Sequence, residues 1–119
     1  RRVHRDAGSG ATKLLLARVP QGLPTGPQVA GHTEVGELIR LGVADVGVAI
    51  APVARASDLD FVPLSEEQFD LVILADGLRD PAVARLLDAL HDRAFRTEAA
   101  LLPGYDLART GTVTPVEAP

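Results

Sequence analysis

Apolar residues come along this chain in short runs whose spacing alternates between two periods, and turn residues separate the runs. Val3–Arg5 is a short strand candidate that feeds a glycine turn. Ala11–Val19 has helical spacing and is stopped by Pro20. Residues Gln21–Pro27 hold two glycines and two prolines and predict an irregular connection, followed by a short strand at Gln28–Ala30. Thr33–Leu41 carries Val35, Leu38 and Ile39 on one face and closes on Gly42, which predicts a helix with a glycine stop. Val46–Ala51 is almost wholly apolar and predicts a strand buried on both faces. Pro52–Ser57 then suits one or two helical turns.

The second half repeats the alternation. Phe61–Leu64 reads as an edge-like strand interrupted by Pro63, and Phe69–Ala75 as a second buried strand. Asp80-Pro81 opens a helix whose Val83, Leu86, Leu87 and Leu90 share a face. Arg93–Leu102 predicts a further helix, with Phe95, Ala99 and Leu102 inward, ended by Pro103-Gly104. The tail Thr114–Pro119 is expected to be disordered. Strands separated by helices give an α/β class, and we expect a three-layer mixed sheet with helices on both faces.

Composition narrows the functions. Only 3% of residues are aromatic, so any core is built from Leu, Val, Ile and Ala. A net charge of −4 without a Lys/Arg cluster argues against a nucleic-acid surface on this chain. The absence of cysteine excludes thiolate chemistry and disulfides. No apolar run approaches the ~20 residues of a membrane span, and we expect a cytoplasmic protein without membrane contact. The start, Arg1-Arg2-Val3-His4-Arg5, reads like the interior of a longer protein.

Candidate chemistry centres on Gly8-Ser9-Gly10-Ala11-Thr12, small residues at a strand-to-helix turn. The first amides of a helix lack internal partners and lie at the positive end of its dipole, so an anion is the natural guest. A capping turn that binds nothing is the competing reading. The Walker A loop, the dinucleotide fingerprint and the nucleophile elbow all fail on this sequence, because Thr12, Lys13, Ala7 and Ala11 stand where those motifs need glycine. A second turn, Gly31-His32-Thr33, opens the next helix, with Thr33 as its expected cap. His4, His32 and His91 lack metal-ligand spacing, and no nucleophile has a base beside it, so no catalytic residue, metal or cofactor is expected. Asp45 stands where a helix end leads into a strand, a place where such a residue pairs with backbone or with a cation.

Four segments in order carry a resemblance. They are Arg5-x-x-Gly8-Ser9-Gly10, Gly31-His32-x-Glu34-Val35 leading to Gly42-x-Ala44-Asp45-x-Gly47, Phe61-Val62-Pro63-Leu64 with Phe69-Asp70-Leu71-Val72, and Gly104-Tyr105-Asp106 with Thr110-Gly111. Together, over roughly residues 3 to 113, they resemble the periplasmic-binding-protein-like domain of molybdopterin-biosynthesis proteins and helix-turn-helix regulators. That resemblance implies part of a type II two-lobed fold. Residues 1–68 would form the second lobe, and 69–113 the returning strand and C-terminal helices of the first. It also places Arg5, Ser9, Gly10 and His32 nearest a ligand, with Thr33 and Asp45 beside them, while Thr12 joins the candidates as a hydroxyl donor of the glycine turn.

Molybdate, tungstate or a cofactor precursor are the ligands so implied, for a non-catalytic sensor module that reaches DNA only through a domain absent from this chain. The alternatives are an accessory domain of a molybdopterin-biosynthesis enzyme and a degenerate lobe serving as a dimerisation scaffold. The family usually continues Gly-Ser-Gly-Thr-Arg, whereas Ala11 and Thr12 stand here. A half-built sheet would leave Phe69–Ala75 without neighbours, so we expect a homodimer or an exchanged element.

Overall fold

In the computed structural model, residues 1–19 and 25–116 are described. The chain divides into two compact units, Arg1–Leu64 and Ser65–Pro119.

The first unit is built on β1 (Arg2–Arg5), α1 (Gly10–Arg18), β2 (Gln28–Val29), α2 (His32–Arg40), β3 (Val46–Gly47) and α3 (Ala51–Ala56). The three strands form one parallel sheet in the order β2-β1-β3. Arg5 is registered with Val29, and Val3 with Gly47. The chain therefore leaves β1 toward one edge and returns past it to the other. Right-handed crossovers in opposite directions place α1 and α2 on opposite faces of the sheet.

The core lies under α2. Val3 and Val35 are fully buried with Ala44, and Val29, Leu38, Ile39 and Ala49 pack around them. Gly47 allows this approach: a Cβ there would stand 2.5 Å from Val35 Cγ1 and 2.8 Å from Val3 Cγ1. α2 ends in a Schellman motif. Val43 N–H donates to Leu38 O and Gly42 N–H to Ile39 O, both at 2.9 Å, with Gly42 at φ +71°. α3 ends in the same way, with Leu59 N–H on Ala54 O at 2.9 Å, but the left-handed position is filled by Asp58 at φ 53°.

The second unit holds a 3₁₀ turn (Ala75–Arg79), α4 (Pro81–His91) and α5 (Arg93–Ala99). Asp80 caps α4 by accepting from Ala82 N–H at 2.7 Å. Asp92 closes α4 and caps α5, accepting from Ala94 and Phe95 N–H. Arg96 donates to Leu107 O at 3.1 Å and Thr110 O at 3.3 Å, fixing the loop that follows.

Several expectations are corrected. The described ladder is wholly parallel rather than mixed. Val46–Ala51 pairs only over Val46–Gly47, and Val46 is 53% exposed. Ile50 caps α3, and Pro52, with its helical φ and missing N–H, turns the chain out of the sheet. Phe61–Leu64 and Phe69–Ala75 form no strand and are largely exposed, because an apolar run becomes a strand only beside a partner's backbone. α5 stops at Ala99; Ala99 is buried, whereas Phe95 and Leu102 are exposed. Thr114–Val116 has no helix or strand, while 117–119 and most of the connection expected at 21–27 lie outside the described residues.

Candidate functional site

Ligands of open α/β sheets settle outside the carboxyl ends of the strands, where the order of connections reverses. In this sheet that place is the end of β1, where Arg5-Asp6-Ala7-Gly8-Ser9 turns into α1. The turn is held by its own polar groups. Asp6 O accepts from Ser9 N–H at 3.0 Å and from Ser9 Oγ at 2.9 Å. Ser9 Oγ in turn accepts from Thr12 N–H at 3.2 Å, capping α1. Thr12 is buried, and its hydroxyl donates to Arg5 O at 2.8 Å.

Two kinds of donor remain. The amides of Gly10 and Ala11 donate to no described group, and Ala7, Gly8 and Gly10 are exposed, so the turn stands open to solvent. The Arg5 side chain is only 16% exposed, with Nη2 3.6 Å from Asp6 Oδ1. Its Nε is buried and has no hydrogen-bond partner among the described residues. Strand alternation puts Arg5 on the face that carries Val3, the face α2 covers. A buried guanidinium N–H without an acceptor is a costly arrangement, which an incoming oxygen would relieve.

The neighbouring turn is built differently. β2 runs parallel to β1, so the connection Ala30-Gly31-His32 begins at the same end of the sheet as the Ser9 turn. Gly31, rather than Thr33, occupies the cap position of α2. His32 is half-buried in the first turn and Thr33 is exposed. The Glu34 carboxylate folds back and accepts from Gly31 N–H. This acidic side chain complements the dipole of α2 and covers part of the ground an anionic guest would occupy. Sequence reasoning quoted Glu34 without giving it a role. The spacing Gly31-x-x-Glu34, cap to third helical residue, is the signal for it.

Asp45 stands elsewhere. It precedes β3 at the starting end of the strands, about 13 Å along the sheet from Arg5 at ~3.3 Å per residue. Its Oδ1 accepts from Arg1 Nη2 at 2.9 Å, and its N–H donates to Arg1 O at 2.8 Å. The hydrogen bond from the Arg1 guanidinium holds the Asp45 carboxyl well below the usual carboxylate range. The structure thus brings Arg5, Ser9, Gly10 and Thr12 into one turn, begins His32 and Thr33 in the adjacent connection, and sets Asp45 at the far end.

Among the described residues no group of three or more His, Asp or Glu is placed to hold a metal ion, and no helix is long and apolar enough to cross a membrane. Two shallow surface hollows lie in the second unit along α4 and α5, around Arg85, Asp88, Asp92 and Glu98. Neither is lined by a residue of the Ser9 turn.

Two proteins of known sequence are similar to this chain. One, named "Uncharacterized protein in ferredoxin 2Fe-2S gene 5′region", from Clostridium pasteurianum, is 30% identical over 83 residues, covering 69% of this chain and 74% of that protein. The other, "Uncharacterized protein YvgK" of Bacillus subtilis (strain 168), is 27% identical over 118 residues. That alignment covers 93% of this chain but only 38% of YvgK. No solved structure gives a significant match. The PBP-like family model, a PBP superfamily domain, matches residues 1–91, which include the whole sheet and the Ser9 turn, and the chain belongs to this periplasmic-binding-protein-like family.

Proposed function

We propose that this chain is a non-catalytic ligand-binding module whose guest is a small anion held at the end of β1. The carrying observation is Arg5 Nε, buried and without a hydrogen-bond acceptor among the described residues, at the end of the strand whose following turn leaves the amides of Gly10 and Ala11 undonated. In this reading the amides offer an oxyanion backbone hydrogen bonds, and Arg5 supplies the positive charge near them. The Ser9 and Thr12 hydroxyls shape the turn rather than grip the guest, since each is already engaged within it. His32 and Thr33 border the site from the adjacent turn, whereas Asp45 acts as a structural anchor for Arg1.

Asp6 limits what can bind. Its carboxylate lies 3.6 Å from the same guanidinium, so an anion shares Arg5 with a fixed negative charge. This favours a compact oxyanion of low charge over a polyphosphate. By resemblance, molybdate or tungstate is the guest, and the parent protein is a regulator that reads the closure of two lobes through a DNA-binding domain. An accessory role in molybdopterin biosynthesis uses the same site.

Calorimetric titration with molybdate, tungstate, sulfate and acetate tests this reading. Saturable binding of at least one oxyanion, weakened tenfold or more by Arg5→Gln, supports it. Absence of binding by all four to the folded chain contradicts it. The scaffold reading is favoured by one observation, the Glu34 carboxylate that already sits over Gly31. It predicts that outcome.

A further inference from the structure

Arg5 is left unfinished by its own surroundings. A guanidinium carries five N–H donors. The Arg5 side chain is only 16% exposed, yet its guanidinium donates no hydrogen bond to any described residue. Arg96 shows the usual solution for a half-buried arginine. Its Nη1 donates to Thr110 O at 3.3 Å and its Nη2 to Leu107 O at 3.1 Å. Charged donors left unmet where water hardly reaches are costly, so Arg5 is built for an acceptor that its own fold does not supply.

The ion pair with Asp6 does not meet this need. Asp6 Oδ1 stands 3.6 Å from Nη2, beyond hydrogen-bond length, so the carboxylate balances the charge without accepting a bond. The Asp6 side chain is 48% exposed and accepts no hydrogen bond from a described residue, so little holds it in place. The planar guanidinium adds a direction. Its Nε–H and one Nη2–H point the same way and form a flat edge of two parallel donors. On Arg5 this edge holds both the orphaned Nε and the nitrogen that Asp6 approaches.

We propose that the guest is an anion presenting two oxygens on one edge, a carboxylate or a compact oxyanion, taken side-on by Arg5 Nε and Nη2 in the place of the Asp6 carboxylate. The inference rests on the anion-binding reading, and it names the class of guest and the internal group displaced. Paired oxygens accept from both donors at about 2.7–2.9 Å, closer than Asp6 stands. A halide has a single centre and cannot lie in line with two parallel N–H bonds. A lysine at this position would keep the charge and lose the fork. Asp6 is then a resident competitor that screens the guanidinium until a better-shaped acceptor arrives.

Calorimetry on the full chain at constant ionic strength, with acetate, molybdate and chloride as probes, tests this. Acetate or molybdate should bind saturably and at least tenfold more tightly than chloride. Arg5→Lys should weaken that binding tenfold or more, nearly as much as Arg5→Gln, with unchanged circular dichroism. The unsubstituted chain gives a second readout that depends on no variant folding. In its ¹⁵N spectrum the Arg5 Nε–H should move downfield with acetate or molybdate and stay still with chloride. Whichever of the two binds more tightly names the source of the oxygens, and either order agrees with the proposal. Binding by Arg5→Lys within threefold of the unsubstituted chain, or chloride equal to both oxygen anions, overturns the two-oxygen edge while the anion reading stands. No saturable binding of any of the three overturns both.

Discussion

The Thr12 hydroxyl donates to Arg5 O at 2.8 Å, tying the first turn of α1 to the last residue of β1. His4 Nδ1 lies 3.2 Å from the same carbonyl oxygen. The end of the strand is thereby fixed, and with it the backbone from which the buried Arg5 side chain projects. Among the described residues, no acceptor reaches the buried Nε of that side chain.

Thr12→Val keeps the shape of the buried side chain and removes its donor. The expected cost is about 1–3 kcal/mol, because Arg5 O loses a partner in a buried place. Thr12→Ser should recover most of that loss. Thermal unfolding of the three proteins checks both outcomes.

Gly47→Ala forces a methyl into Val35 and Val3, both buried, at separations below 3 Å. Overpacking of this kind costs roughly 1–3 kcal/mol. Combined with Val35→Ala, which opens the same space, the substitution should cost less than the sum of the two single changes. Strict additivity in a urea double-mutant cycle would show that α2 does not press on β3 as described.

Asp58→Gly should stabilise the first unit by about 0.5–1 kcal/mol, since the left-handed position at the end of α3 strains a residue with a Cβ. The urea midpoint should rise with an unchanged slope. Loss of stability would mean that the Asp58 carboxylate makes a contribution that outweighs its backbone.

Asp45→Asn should matter only above the carboxylate range. The Asp45 carboxyl is held low by Arg1, so its contribution is complete above its unfolded value near pH 4 and fades as pH falls toward the lower folded value. Both groups are exposed, so the effect at neutral pH is small. The urea midpoints of the two proteins should differ at pH 7 and converge below about pH 4. A gap that widens in acid would contradict the sign.

How much of this was legible in the sequence follows from where each instruction resides. Asp80-Pro81, Ser9 and Gly42 act within one turn of chain, and the helices they start or stop appear where the residues predict. Phe69–Ala75 reads as a buried strand because its side chains fit one, yet pairing needs a neighbour's backbone, which no local pattern reports. Arg5 was legible as a cation beside the turn, but the burial of its Nε is a property of the folded unit that no local pattern reports. The displacement of Asp45 to the other end of the sheet follows from strand register. Periodicity does not encode it.

Asp6→Asn bears on the anion site itself. Removing the carboxylate 3.6 Å from Arg5 should raise oxyanion affinity about three- to tenfold at low salt, with a smaller gain at high salt. An unchanged affinity would place the guest away from Arg5.

Titration of the ¹⁵N-labelled chain with molybdate, followed by NMR, tests the central claim most directly. The amides of Gly10 and Ala11 and the Nε–H of Arg5 should move together along one saturable curve, and Arg5→Gln should abolish it. Resonances that stay still at those three positions, or that saturate only elsewhere, would contradict the account.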